Sequence, residues 1–172
     1  MKTLYLVRHA KSDWDDPALD DHERPLNERG RRDAPAMGRR LAERGAAPAL
    51  IVTSTAIRAR TTADALAAEL GIPDDRFLVE PRLYAASGRS ILAIAADLPR
   101  SVDSAMLVGH NPGMSDALVE LIGGSGDGGE AGDAGDLPTC AVAECTVDVD
   151  DWSELIEGSG RLVRLDTPRR GE

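Results

Sequence analysis

The chain has 172 residues, about one domain's length, enough for a single core that buries about two-thirds of the surface the unfolded chain exposes. Thirty acids against 20 Lys and Arg give a formal net charge of -10, which argues against nucleic acid as a partner, and Tyr5, Trp14, Phe77, Tyr84 and Trp152 are too few aromatics for base-stacking platforms. Cys140 and Cys145 fall in one strand-like run and offer neither a disulfide scaffold nor a four-ligand metal knuckle, so a reduced compartment is expected.

The opening segment MKTLYLVRHAKSDW has only a short apolar run before Arg8, and no stretch nears the ~18 apolar residues of a membrane span. The expectation is a cytoplasmic, membrane-free protein, and a monomer. Thr3 to Val7 is apolar, β-rich and too short for an average helix, so it predicts a buried central strand that stops at Arg8-His9. In RRDAPAMGRRLAERG, Ala34, Met37 and Leu41 share one helical face. Pro35 is tolerated in a first turn, which places the start of this helix at Asp33 or Ala34 and its end at Gly45.

Leu50 to Thr53 reads as a second strand, with Ser54 and Thr55 as caps for a helix through IRARTTADALAAELG to Gly71. Phe77 to Leu83 is a third extended segment, and Ser87 caps GRSILAIAADL before Pro99. Ala105 to Val108 is a fourth strand that runs into Gly109-His110-Asn111-Pro112. The following GMSDALVELIG turns Met114, Leu118, Leu121 and Ile122 to one side of a helix. Residues 123–137, GGSGDGGEAGDAGDL, carry seven glycines, four acids and no cation and predict a mobile surface loop. Thr139 to Val149 and Gly160 to Leu165 read as a hairpin-like edge of the same mixed sheet. Strand and helix alternate four times, which favours an α/β layer structure in one domain over residues 1–172.

Polar groups converge at the predicted strand ends: Arg8-His9 after the first strand, Arg58 after the second, His110 after the fourth. In an open α/β sheet those ends form the ligand crevice. Two guanidiniums and two imidazoles there suit a tetrahedral oxyanion, because Arg supplies planar multidentate donors, a neutral His can attack phosphorus and a protonated His can donate. Other residues stay divided between site and scaffold. Ser12 is close enough to donate to phosphate, Asn111 either donates to phosphate or fixes its turn, and Ser54 either caps or points at the anion. Arg60 and His22 read mainly as surface, Asn27 and Glu28 belong to the LNERG segment, and Glu28 reads mainly as a first-turn charge near Gly30.

LVRHAKSDW, RPLNERGRRDA, STAIRARTTA and VGHNPG, in that order, together resemble the histidine phosphatase superfamily, especially its short phosphohistidine phosphatase branch, from the first strand to about Ile122. The resemblance implies a phosphoglycerate mutase-like three-layer α/β/α sandwich on a mainly parallel sheet, with no metal and no cofactor. It implies that His9 accepts the phosphoryl group, that Arg8 and Arg58 hold it, and that His110 completes the pocket. Arg8 and Arg58 beside His9 are expected to oppose positive charge there and so favour the neutral, nucleophilic ring.

Many phosphomonoesterases and mutases of the superfamily carry an acid after the third extended segment, where this chain reads RLYAAS, with Tyr84 and Ala85. Glu80 is an imperfect substitute and Asp13 another candidate. An alkoxide leaving group needs a general acid, whereas an imidazole can be protonated before it departs. The expected substrate is therefore phosphohistidine on a protein, which Lys11 to Trp14 could contact, or a related small phosphoramidate. The alternatives are a small-molecule phosphomonoesterase and a noncatalytic phosphate-binding module. The acidic total also conceals an uneven spread: residues 1–60 hold 12 bases and 9 acids, and residues 123–172 hold 4 and 12.

Overall fold

The computed structural model describes residues 1–124 and 135–168. Ten regular elements follow one another: β1 (Lys2–Arg8), α1 (Glu28–Glu43), β2 (Leu50–Thr53), α2 (Ile57–Leu70), β3 (Phe77–Val79), α3 (Gly88–Ala96), β4 (Ser104–Gly109), α4 (Gly113–Leu121), β5 (Val142–Val147) and β6 (Gly160–Asp166). The six strands form one sheet in the order β3-β2-β4-β1-β5-β6. The first four are parallel, whereas β5 runs antiparallel to β1 and β6 antiparallel to β5. This is the mixed sheet with a hairpin-like edge that the alternation of elements predicts.

The central strands read as unbroken apolar runs because both of their faces are covered, and the two-residue period of a strand sorts their side chains between two cores. Leu4, Leu6, Val52 and Leu107 pack with Ile91, Leu92, Leu118 and Leu121 of α3 and α4. Tyr5, Val7, Ile51, Met106 and Val108 pack on the opposite face with Met37, Leu41 and Leu66 of α1 and α2. Three layers result. The antiparallel edge is tied to the end of α1 by Arg44, whose guanidinium reaches Glu144 at 2.6 Å and Asp166 at 2.9 Å.

Several boundaries differ from expectation. Helix α1 begins at Glu28, one full turn and more before Asp33, and Pro35 lies inside it. Asn27 is the reason for the early start: its side chain accepts the Gly30 N–H at 2.9 Å and satisfies an orphan donor of the first turn. The carbonyl that Pro35 leaves without a helical donor belongs to Arg31, an exposed residue whose backbone solvent can serve. Ser54 and Thr55 do not cap α2, whose N-cap is Ala56 with no side-chain cap bond. Both hydroxyls are committed to histidines, Ser54 to His110 and Thr55 to His22. The third extended segment is a strand only to Val79, because Pro81 to Leu83 turn into a 3-10 helix. The strand expected over Thr139 to Val149 is confined to Val142–Val147. Most of the expected surface loop, residues 125–134, lies outside the described residues.

Two motif glycines are dictated by close approach. A Cβ on Gly30 would sit 2.2 Å from the Lys11 carbonyl oxygen, and one on Gly113 would sit 2.1 Å from that of Ala86. The first contact packs the start of α1 against the chain leaving β1, and the second packs α4 against the segment that carries Tyr84. We expect Gly30→Ala to destabilise the fold by about 1–3 kcal/mol, the usual cost of forcing atoms into a packed site. Urea unfolding checks this, and an unchanged midpoint refutes the packing argument.

Candidate active site

β4 lies between β1 and β2, and the three parallel strands end in step: Arg8 stands opposite Gly109, and Val108 opposite both Val7 and Thr53. The residue that follows each strand is therefore delivered to one place. His9 donates its backbone N–H to the Gly109 carbonyl, and Ser54 donates its own to Val108. His110 follows β4 directly, and Arg58 enters from the first turn of α2. His9, His110 and Arg58 are all buried, and the two imidazole centroids are 5.1 Å apart.

His9 Nδ1 lies 2.7 Å from the carbonyl oxygen of Ala10. A carbonyl only accepts, so in the neutral ring this contact places the proton on Nδ1 and leaves a lone pair on Nε2. The ring is held neutral, its pKa pushed down to about 4 by burial first, with Arg58 and Arg8 adding to the effect. The arginines act in the expected direction but are the smaller cause. His110 is pushed lower still, to about 3, by burial and then by His9 and Arg58. Its Nε2 is 2.8 Å from the Ser54 hydroxyl, which also accepts the Ala56 N–H at 3.3 Å. His110 Nδ1 and Arg8 Nε are buried without a hydrogen-bond partner among the described residues. Arg8 Nη1 donates to the Leu137 carbonyl at 2.8 Å.

One group at this site has no counterpart in the sequence reading. Asp21, in the 3-10 helix Asp21–Glu23, accepts from Arg58 twice, through its backbone carbonyl and through Oδ2 at 2.9 Å. Tyr84 donates to the same Oδ2 at 2.7 Å, and Arg24 donates to Oδ1 at 2.8 Å. These partners, Tyr84 foremost, hold the carboxyl below its ordinary range despite partial burial. Nothing in the acid-rich run DWDDPALDDHE singles Asp21 out, because its role depends on a tyrosine 63 residues away. Tyr84 also presents its ring edge-on to His110 and to His22, at centroid distances of 5.6 and 4.9 Å. His22 thus belongs to the rim, where its Nε2 meets the Thr55 hydroxyl. The Arg24 guanidinium lies 3.3 Å over the exposed Trp14 ring.

The remaining candidates are placed elsewhere or occupied. Asn111 directs both donor contacts of its amide to Asp136 and Leu137, and its oxygen accepts from Ser115 of α4. Ser12 is buried and forms an isolated antiparallel bridge with Leu26. Arg60 is exposed. Glu80 spends both carboxylate oxygens on Arg82, and Asp13 accepts from the Asp15 N–H. Among the described residues no group of three or more His, Cys, Asp or Glu could hold a metal ion, and no helix is long and apolar enough to cross a membrane.

A sequence profile of the Histidine phosphatase superfamily (branch 1) matches residues 4–112. An uncharacterized protein of Mycobacterium tuberculosis is 32% identical over 165 residues, covering 95% of this chain and 100% of that protein. A crystal structure assigned to the phosphohistidine phosphatase SixA of Agrobacterium tumefaciens superposes with a TM-score of 0.81 at 32% identity, covering 98% of this chain and 99% of that one. A second, from Nakamurella multipartita and likewise assigned to SixA, gives a TM-score of 0.82 at 29% identity, covering 97% and 96%. The three-layer sandwich with its mainly parallel sheet is the phosphoglycerate mutase-like fold.

The two buried imidazoles make stability depend on pH in a definite sense. Unfolded histidines bind protons near pH 6.5, whereas His9 and His110 do so only at about 4 and about 3. Between those values the unfolded chain holds more protons, so acidification from pH 6.5 toward 4 costs stability, on the order of a few kcal/mol for the pair. His110→Gln should flatten that part of the profile when urea midpoints are measured at each pH. A profile as steep as that of the parent chain would refute the assignment.

Proposed function

The chain belongs to the histidine phosphatase superfamily, and on that premise we propose that it is a phosphohistidine phosphatase working through a phosphoenzyme at His9. Membership supports phosphatase activity in general. The phosphoenzyme at His9 is supported by the contact between His9 Nδ1 and the Ala10 carbonyl, because it leaves the Nε2 lone pair available for attack, and the substrate class by the absence of a free acid at Tyr84 and Glu80.

Arg8, Arg58 and His110 orient the phosphoryl group, and the two guanidiniums neutralise its oxygens, which is most of what phosphoryl transfer asks of a protein. Arg8 Nε and His110 Nδ1, both buried without partners among the described residues, are groups that phosphoryl oxygens would satisfy. When the Ser54 hydroxyl gives its hydrogen to His110 Nε2 while accepting from Ala56, the neutral ring carries its proton on Nδ1 and donates without being charged.

His9 Nε2 forms the new N–P bond as the substrate's P–N bond breaks, and the departing electron pair goes to the substrate imidazole. The proton on His9 Nδ1 stays against the Ala10 carbonyl throughout. Phosphorylated His9 is thus a cationic ring that leaves well, and water attack at phosphorus returns the bonding pair to Nε2, releasing inorganic phosphate and the neutral ring.

The segment expected to bring a leaving-group acid supplies Tyr84, and Glu80 is occupied by Arg82, which favours a P–N over a P–O bond. The substrate is phosphohistidine on a protein, with Trp14 exposed beside the mouth, or a small phosphoramidate. The unpaired buried thiols of Cys140 and Cys145 fit a reducing, cytoplasmic setting, and we take the chain to act as a monomer.

His9→Ala should lower kcat/KM on a phosphohistidine peptide by ~10³-fold or more and abolish acid-labile phosphate trapped on the protein after rapid denaturation. Full activity in that variant, or trapped phosphate on His110, would sink the mechanism. Ser54→Ala should retain the intermediate but slow turnover by ~10-fold, since it releases the His110 tautomer. A Ser54→Ala enzyme indistinguishable from the parent in a stopped-flow assay would show that the hydroxyl does not set that proton.

A further inference from the structure

In-line displacement puts the leaving group on the side of phosphorus opposite the nucleophile. His9 is buried, so the leaving group faces the solvent-accessible side, where Asp21, Tyr84 and His22 stand. Asp21 is the half-exposed carboxylate there, and its charge is felt at both His9 and His110.

Its acceptor sites are mostly used. A carboxylate offers about four lone-pair positions. Arg58 and Tyr84 take two on Oδ2 and Arg24 takes one on Oδ1. One remains on Oδ1, held in place by three neighbours. The Tyr84 hydrogen bond foremost, with Arg58 and Arg24, keeps the group anionic, which makes it an acceptor and not an acid.

We propose that Asp21 is the catalytic residue that receives the leaving imidazole, accepting a hydrogen bond from the ring N–H distal to phosphorus in a phosphohistidine substrate. This rests on the phosphohistidine reading above. A phosphoimidazole protonated at the distal nitrogen departs as neutral imidazole: the P–N bonding pair goes to the nitrogen that phosphorus leaves, and the distal proton stays where it is, against Asp21. The Ala10 carbonyl does the same for His9 on the other side of the transfer. A general acid is therefore not needed at the position where Tyr84 stands. Tyr84 instead fixes the carboxylate that replaces it.

The test compares phosphoimidazole, whose leaving group benefits from a held proton, with p-nitrophenyl phosphate, whose leaving group needs none. Asp21→Asn should lower the ratio of the two kcat/KM values by ~10-fold or more, and Tyr84→Phe should lower it by about 3-fold. An equal loss on both substrates in Asp21→Asn would mean that the residue merely holds Arg58, and would overturn the assignment. So would a ratio untouched in Tyr84→Phe should Asp21→Asn fail to fold. A parent enzyme that turns over p-nitrophenyl phosphate but not phosphoimidazole would overturn the phosphohistidine reading itself, and this one with it.

Discussion

The insertion of β4 between β1 and β2, with all three strands parallel and ending in step, is the constraint on which the site depends. It brings together His9, His110 and Ser54, which are separated by up to 101 positions, without any of them having to reach. Parallel pairing of this kind needs both faces of the sheet covered, and the two cores supply that cover through α1 with α2 on one side and α3 with α4 on the other. The close approaches at Gly30 and Gly113 then set where the two rim segments lie relative to the strand ends.

Burial is the second determinant. Two imidazoles buried at the strand ends lose hydration that only their charged forms strongly need, so both stay neutral. The arginines around them reinforce this and are themselves anchored, Arg8 on Leu137 and Arg58 on Asp21. Anchoring matters because a guanidinium has five donors and a long stem. Each bond made to the scaffold limits the directions in which the remaining N–H groups can point. The net charge of -10 is compatible with an anion site because the bases are concentrated in residues 1–60, where they exceed the acids.

The expectation for the core elements holds where hydrophobic period and length agree: the strands at β1, β2 and β4, the buried faces of α1 and α4, and the antiparallel edge. It slips where a local rule has two outcomes. Pro35 is permitted in a first turn and also, at a cost, in the interior, and Asn27 tipped the balance by capping a helix that starts at Glu28, five or six residues before the start that Pro35 suggested. Ser54 precedes a helix as a cap should, yet its hydroxyl has a stronger claim from a buried imidazole.

The sequence by itself determined the chemistry available at the strand ends, since Arg8, His9, Arg58 and His110 each adjoin a recognisable strand or helix boundary, and motif order sufficed to name the superfamily. Tertiary structure alone decided which acid among the many between Asp13 and Glu28 meets that chemistry. Asp21 earns its place through Arg58 and Tyr84, 37 and 63 residues away, and through-space contacts over such separations leave no period or spacing to read. The same holds for the tautomer of His9, which follows from where one backbone carbonyl points.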